Sequence, residues 1–279
     1  MKQIELSTGT IEYTDTGAGP VVVLLHGLMM DGSLWDETVA GLAPSCRCVV
    51  PTLPLGAHRQ AMEPGADLSL PGLARMAGEF LDRLDLRDVT LAGNDTGGAL
   101  VQLLIRDQVP RVARVVLVSC DAFDNFPPGL TGRALVAAGK LPPAMFGLFM
   151  QQMRVRALRR TPLAYGWLTK RGDAATARCL EPVLTRPEIR RDTVRVLRAA
   201  AADKRLLTGA AQWLPRFGGR SLVVWARDDR VMPPEHGRRL AGLLPAARLT
   251  EVDDSYTLVP LDQPAVLARL IREFIGPQG

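Results

Sequence analysis

The run Gly93-Asn94-Asp95-Thr96-Gly97-Gly98 sets one carboxylate among glycines. The apolar stretch from Val89 to Ala92 precedes it, and a helix-like pattern from Ala99 to Ile105 follows. That order predicts a strand, a tight turn and a helix, because glycine permits the sharp turn and lets helix and sheet approach closely. The apex side chain then stands at the positive end of a helix, where negative charge is favoured. Asp95 is therefore either a presented, reactive carboxylate or an ordinary helix N-cap. A carboxylate is already ionised near neutral pH and needs no base to become a nucleophile. Attack on an ester carbonyl would give a mixed anhydride, more reactive than the ester itself, whereas attack on a saturated carbon gives a stable ester. An alkyl carbon is thus the expected electrophile. Hydrolysing the resulting ester needs an activated water, which is commonly the work of a histidine.

The elements that must position Asp95 read as alternating strands and helices. Ile4 to Leu6 and Thr10 to Tyr13 form a hairpin, and Val21 to Leu25 is a fully apolar strand of the kind buried in a parallel sheet. Helices are expected from Leu34 to Leu42, Leu70 to Leu84 and Ala99 to Arg106, with strands from Cys46 to Pro51, Asp88 to Ala92 and Val112 to Ser119. From about Phe126 to Leu207 no strand-like run occurs, and helical segments are punctuated by prolines. Strands return at Ser221 to Trp225 and Arg248 to Val252, each followed by a helix, Glu235 to Leu244 and Gln263 to Phe274. Alternation of this kind predicts a parallel sheet with its site at the carboxyl ends of the strands.

The chain's 279 residues suffice for one large α/β domain with an insertion. Its start lacks a signal-peptide core, and Val21 to Leu25 is too short to span a bilayer, so a cytoplasmic protein without a membrane partner is expected. Cys46, Cys48, Cys120 and Cys179 form no metal-ligand spacing, and no cofactor or metal is expected. The net charge of +5 is concentrated in arginines between Arg154 and Arg205. These alternate with apolar residues at helical spacing, which favours a solvated helix face over a nucleic-acid patch, so no nucleic-acid partner is expected.

The stretch around Asp95 resembles the nucleophile elbow of the α/β-hydrolase fold, where G-x-S-x-G presents a serine, in the aspartate version of epoxide hydrolases and haloalkane dehalogenases. The resemblance implies a mostly parallel central sheet flanked by helices, with a helical cap inserted after the sixth strand. Residues 1–122 and 208–279 would form the core, and 123–207 the cap. His26-Gly27 matches the family's His-Gly loop, which makes the Leu28 N–H one half of an oxyanion hole and Thr96 the other, with His26 structural. The run Trp225 to Pro233 resembles W-G-x-x-D-x-x-x-P, which places Asp229 as the acid, and Asp121, just after the sixth strand, is the alternative acid.

Where the family carries Gly-His after the last strand, this chain has Tyr256-Thr257. Its histidines are His26, His58 and His236. His236 reads as a surface residue, and His58, on the loop from Pro54 to Arg59, is the possible base. The site walls are expected to include Met29, Asn94, Phe123, Tyr165, Tyr256 and Thr257. Thr96 stands where haloalkane dehalogenases hold the halide with a tryptophan, and Tyr165 is the single tyrosine of the cap region, where epoxide hydrolases use two. Three functions stay open for a small, largely apolar substrate: hydrolysis through an Asp95 ester, a non-hydrolytic isomerase, lyase or cyclase in which Asp95 moves protons, and silent binding.

Overall fold

The computed structural model describes residues 1–203 and 205–276. Eight strands form one sheet in the order β1-β2-β4-β3-β5-β6-β7-β8. They are β1 (Lys2–Leu6), β2 (Gly9–Thr16), β3 (Val21–Leu25), β4 (Arg47–Thr52), β5 (Val89–Asp95), β6 (Val112–Cys120), β7 (Arg220–Ala226) and β8 (Ala247–Val252). The β1–β2 and β2–β4 pairs are antiparallel, and every pairing from β4 through β8 is parallel.

The central strands are apolar along their whole length because both faces are covered. Val23 and Leu25 enter one core with Val115, Leu117, Val223 and Trp225. Val22 and Leu24 enter the other with Val116, Val118, Leu222 and Val224. Helices α2 (Leu70–Arg83) and α3 (Thr96–Arg106) cover the first face through Phe80, Leu100 and Leu104. Helices α1 (Asp36–Leu42) and α13 (Pro264–Ile275) cover the second through Leu42, Leu267 and Ile271.

Between β6 and β7 the described residues hold helices and no strand. These are α4 (Gly129–Ala138), α5 (Pro143–Gln151), α6 (Arg156–Arg159), α7 (Asp173–Cys179), α8 (Glu181–Thr185), α9 (Pro187–Ala202) and α10 (Leu206–Ala211). Two short helices, α11 (Pro234–Leu243) and α12 (Val259–Asp262), complete the set.

The arginines of this helical insertion are only in part the solvated face expected from their spacing: Arg154, Arg156, Arg186, Arg191 and Arg198 are exposed, whereas Arg159 is buried. Several turn inward and satisfy carbonyls that helix ends leave without a partner. Arg159 donates to Met153 O at 2.8 Å and to Asp173 at 2.9 Å, and Arg190 donates to Val183 O at 3.0 Å and Leu184 O at 2.8 Å. Arg198 reaches back to Gly139 O at 3.1 Å. Periodicity along one helix cannot reveal such acceptors, because they belong to other segments. All four cysteines are buried free thiols.

Candidate functional site

Asp95 ends β5 and caps α3 with φ 55° and ψ −127°. A non-glycine residue in this region costs on the order of 1–3 kcal/mol and persists only where its surroundings fix it. Here the surroundings are three glycine contacts. A Cβ on Gly97 would lie 2.2 Å from Leu25 O, one on Gly93 would lie 2.4 Å from Gly97 backbone atoms, and one on Gly98 would lie 2.3 Å from Cys120 Cβ. The helix begins at Thr96 rather than at Ala99, since the elbow turns within Asp95 itself.

The loop after β3 closes over this carboxyl. Leu28 N–H donates to Asp95 Oδ2 at 3.2 Å. Gly27 lies so close that a Cβ there would sit 2.2 Å from the same oxygen. His26 holds the loop from behind. Its Nε2 accepts from Leu53 N–H at 2.9 Å, so its Nδ1 carries the proton given to Gly27 O at 2.9 Å. Burial lowers the His26 pKa to about 4, which keeps the ring neutral and structural.

A second carboxyl stands beside the first. Asp121 follows β6, and its N–H donates to Asp95 O at 3.3 Å. Thr96 Oγ1 donates to Asp121 Oδ2 at 3.0 Å, while Asp121 Oδ1 is buried without a hydrogen-bond partner. Burial, then the nearby Asp95 charge, pushes the Asp121 pKa well above the carboxylate range. Burial likewise raises Asp95 to about 7, against the lowering effect of the Thr96 and Leu28 amides, with Asp229 adding to the rise. Two acids packed this closely titrate as a pair, and the pair holds a proton at neutral pH.

Asp229 is anchored by Val231 N–H at 3.0 Å, Met232 N–H at 2.8 Å and Thr257 Oγ1 at 2.7 Å, all on Oδ1. Its Oδ2 is buried without a partner, and burial pushes its pKa up to about 6 despite those donors. Thr257 is fully buried, and its carbonyl accepts from Asn94 Nδ2 at 2.7 Å. Asn94 Nδ2 also lies 2.9 Å from Val118 O and 3.2 Å from Ser119 O. Asn94 is thus a clamp between β5, β6 and the loop after β8.

Asp95, Asp121, Thr96 and Leu28 form the floor of a cavity holding about 560 Å³ of empty space, its mouth included. Phe126, Leu135, Tyr165, Leu168, Val196 and Ala200 are among its walls, nearly all from the helical insertion. Of the expected wall residues only Tyr165 lines it, and the Tyr165 hydroxyl is already given to Thr176 O at 2.8 Å.

The other expected wall residues lie elsewhere. Met29 is buried with its N–H on Leu55 O at 2.8 Å. Phe123 is buried against the His236 ring, centroids 5.3 Å apart, so His236 is half-buried rather than a free surface residue. Tyr256 stacks under the Arg230 guanidinium at 3.7 Å. Asn94 and Thr257 lie behind the floor. The apolar wall residues went unnamed in the sequence, because no local signal marks which apolar side chains of an inserted segment face inward.

His58 is also away from the cavity lining. Its Nε2 is 3.6 Å from Asp192 Oδ2 on α9, and Asp192 further accepts from Met62 N–H at 2.8 Å and Arg195 at 2.9 Å. This arrangement ties the loop after β4 to the insertion. His58→Ala is expected to lower stability by about 1–3 kcal/mol and to leave kcat unchanged. A denaturation midpoint and initial rates check this, and a kcat loss of more than about tenfold would return His58 to the chemistry.

The raised carboxyls have a defined pH signature. Near pH 4 Asp95 is half-ionised in the unfolded chain, but the fold keeps its proton until about pH 7. The folded state binds more protons across that window, so stability falls as pH rises through it. His26 acts oppositely between its folded value of about 4 and its ordinary value of 6.5. The Asp95 contribution is therefore read by difference. Asp95→Asn is expected to exceed the parent in stability at pH 8 by on the order of 4 kcal/mol, and the difference is expected to vanish near pH 4. Urea unfolding at the two pH values measures both quantities.

Comparison with known proteins agrees with this architecture. Haloalkane dehalogenase 2 of Mycobacterium tuberculosis is 26% identical to the chain, covering 97% of it and 93% of the relative. The cis-3-alkyl-4-alkyloxetan-2-one decarboxylase of Xanthomonas campestris pv. campestris is also 26% identical, over 98% of this chain and 95% of its own. A solved haloalkane dehalogenase of Bradyrhizobium elkani superposes with a TM-score of 0.78 at 19% identity, over 98% of this chain and 96% of that one. A thermophilic esterase of Thermogutta terrifontis does so with a TM-score of 0.74 at 20% identity, over 99% and 98%. Both structures share the fold. The sequence pattern described as the alpha/beta hydrolase fold matches residues 20–264, and together with the elbow, the sheet order and the helical insertion this shows that the chain belongs to the α/β-hydrolase-fold family.

Proposed function

We propose that the chain is an enzyme in which Asp95 attacks an alkyl carbon of a small, largely apolar molecule. The observation that carries this reading is the Leu28 N–H on Asp95 Oδ2, with the carboxyl at the floor of an apolar cavity. One carboxylate oxygen is held, the other is left for attack, and backbone amides stabilise the charge that remains. In the step, an Asp95 oxygen bonds to the carbon, and the leaving group departs with the bonding pair. The protonated Asp121 carboxyl beside it supplies a proton where that group is an oxygen. Residues 123–207 act as the lid that excludes water, and Leu28 and Thr96 supply the oxyanion-hole amides. The names of the two curated relatives, a dehalogenase and an oxetanone decarboxylase, point to electrophiles of this kind. In this reading no histidine among the described residues lines the cavity to activate water at the ester, and ester release is slow.

A second reading is favoured by one specific observation. Two carboxyls with raised pKa values line the cavity, and no histidine does so among the described residues. Such a pair can take a proton from one atom and return it to another, as an isomerase, lyase or cyclase requires.

The two readings separate by experiment. Incubation with a panel of terminal epoxides and haloalkanes, followed by mass spectrometry of the Asp95 peptide, is expected to show an ester adduct. The rate of adduct formation should rise with pH through about 7, as the nucleophile ionises. Deuterium exchange into a recovered substrate with no adduct would replace the first reading by the second.

A further inference from the structure

We propose that the outer face of the helical insertion docks on an anionic lipid surface. Apart from Met1, the large apolar side chains left exposed among the described residues are Leu130, Met145, Leu148, Val155, Leu158 and Leu163. All six fall within one segment of 34 residues, 130–163. Leu148 is 74% exposed and Leu130 60% exposed, values that a solvent-facing helix does not need to leave to leucine.

The fold brings the segments that carry these side chains together. On α5, Phe146, Gly147 and Met150 are buried, and a Cβ on Gly147 would meet Arg190 of α9 at 2.5 Å. Met145 and Leu148, three residues apart, form the opposite outer stripe. Thr131 Oγ1 donates to Pro162 O at 2.8 Å, which holds the start of α4, with Leu130, against the loop that carries Leu163. Val155 and Leu158 continue directly from the turn that ends α5.

Charge completes the pattern. From Asn125 to Gly172 there is no Asp or Glu, while eight Lys and Arg occur. Of these eight, Arg156, Arg159, Lys170 and Arg171 pair with Asp173, Asp228 and Asp254, which lie outside the stretch. Arg133, Lys140 and Arg154 are exposed and take part in no ion pair among the described residues. Exposed apolar side chains interleaved along the chain with exposed, unpaired cations suit the interface of an anionic bilayer, where leucine enters the acyl boundary and arginine meets the headgroups. A second copy of the chain is disfavoured as the occupant, because two faces of this charge repel. No helix of the described residues is long and apolar enough to cross a membrane, so the contact is one of lying on the surface.

The docking face leads to the site. A narrow apolar cleft lies under Leu163, Phe149 and Met153. It shares Thr131, Leu135 and Tyr165 with the cavity over Asp95. An apolar substrate dissolved in the bilayer would thus pass along one apolar wall to the carboxylate. That delivery rests on the function proposed above, whereas docking itself does not depend on it.

Vesicle binding by the whole chain tests the proposal without any turnover. Co-sedimentation is expected with phosphatidylglycerol–phosphatidylcholine vesicles and not with phosphatidylcholine alone, and added salt should weaken it. Arg154→Glu and Leu148→Glu are each expected to weaken binding about tenfold or more, while Arg269→Glu on α13 should not. Both positions on the docking face are exposed, and unchanged thermal melts will show that the fold is retained. Absence of binding to either vesicle, or binding that both face variants leave unaltered, would overturn the proposal. A concentration-dependent dimer that Leu148→Glu dissolves would assign the face to a second copy instead.

Discussion

Asp95→Asn is expected to lower kcat/KM by about four orders of magnitude or more while the protein stays folded. The amide is close to the carboxylate in shape, so its oxygen can still accept from Leu28 N–H and rest against Gly27. What it loses is the anionic oxygen that the proposed attack on carbon requires. It equally loses the group that exchanges a proton, so both proposed chemistries predict the collapse. The same change removes a buried charge, and the variant should therefore be more stable than the parent at alkaline pH while catalytically inert. This opposition of stability and activity is the mark of a carboxyl placed for chemistry and not for support. Initial rates with whichever electrophile labels Asp95, set beside the melting curve of the variant, decide the matter. Full activity in Asp95→Asn would remove this residue from the reaction.

The second large effect is structural. Gly97→Ala is expected to cost about 3 kcal/mol or more and to reduce the yield of folded protein. The new methyl would meet Leu25 O at 2.2 Å, Leu25 C at 2.7 Å and His26 O at 2.8 Å, all backbone atoms of the strand and loop that carry the Leu28 amide. No rotamer relieves a backbone clash, so α3 would have to lift from β3 and take Asp95 with it. Gly78→Ala on α2 is the matched control. Its methyl would find Leu104 Cδ2 at 3.6 Å, an ordinary contact, and alanine is the better helix former by about 1 kcal/mol. The same substitution thus has opposite signs at two helical glycines. Equal melting shifts in the two variants would refute the close-approach account of the elbow.

What was legible in the sequence was what neighbouring residues decide. The glycines around Asp95 must flank any such turn, so the elbow could be read within one stretch of chain. Fully apolar strands with helices between them announced a parallel sheet covered on both faces, and the long stretch without strand character announced the helical insertion. Hairpin and helix ends moved by a few residues, as with β2 running to Thr16 and α3 starting at Thr96, because end residues are fixed by partners and not by pattern.

The partners themselves were not legible. His58 lies 134 residues from Asp192 in the chain, and nothing near either residue says that the two meet on α9. Thr257 and Asp229 are joined only because the loops after β7 and β8 end side by side. Asn94 reads as part of the reactive turn, yet the alternation of a strand turns it to the other side, where it binds three carbonyls of two segments. Sequence by itself therefore determined the fold class and the residue presented at its apex, since both follow from local steric rules and the burial of apolar runs. Only tertiary structure decided that Asp121 stands beside Asp95 in an apolar cavity, and that proximity, through desolvation and like charge, sets how readily each carboxyl ionises.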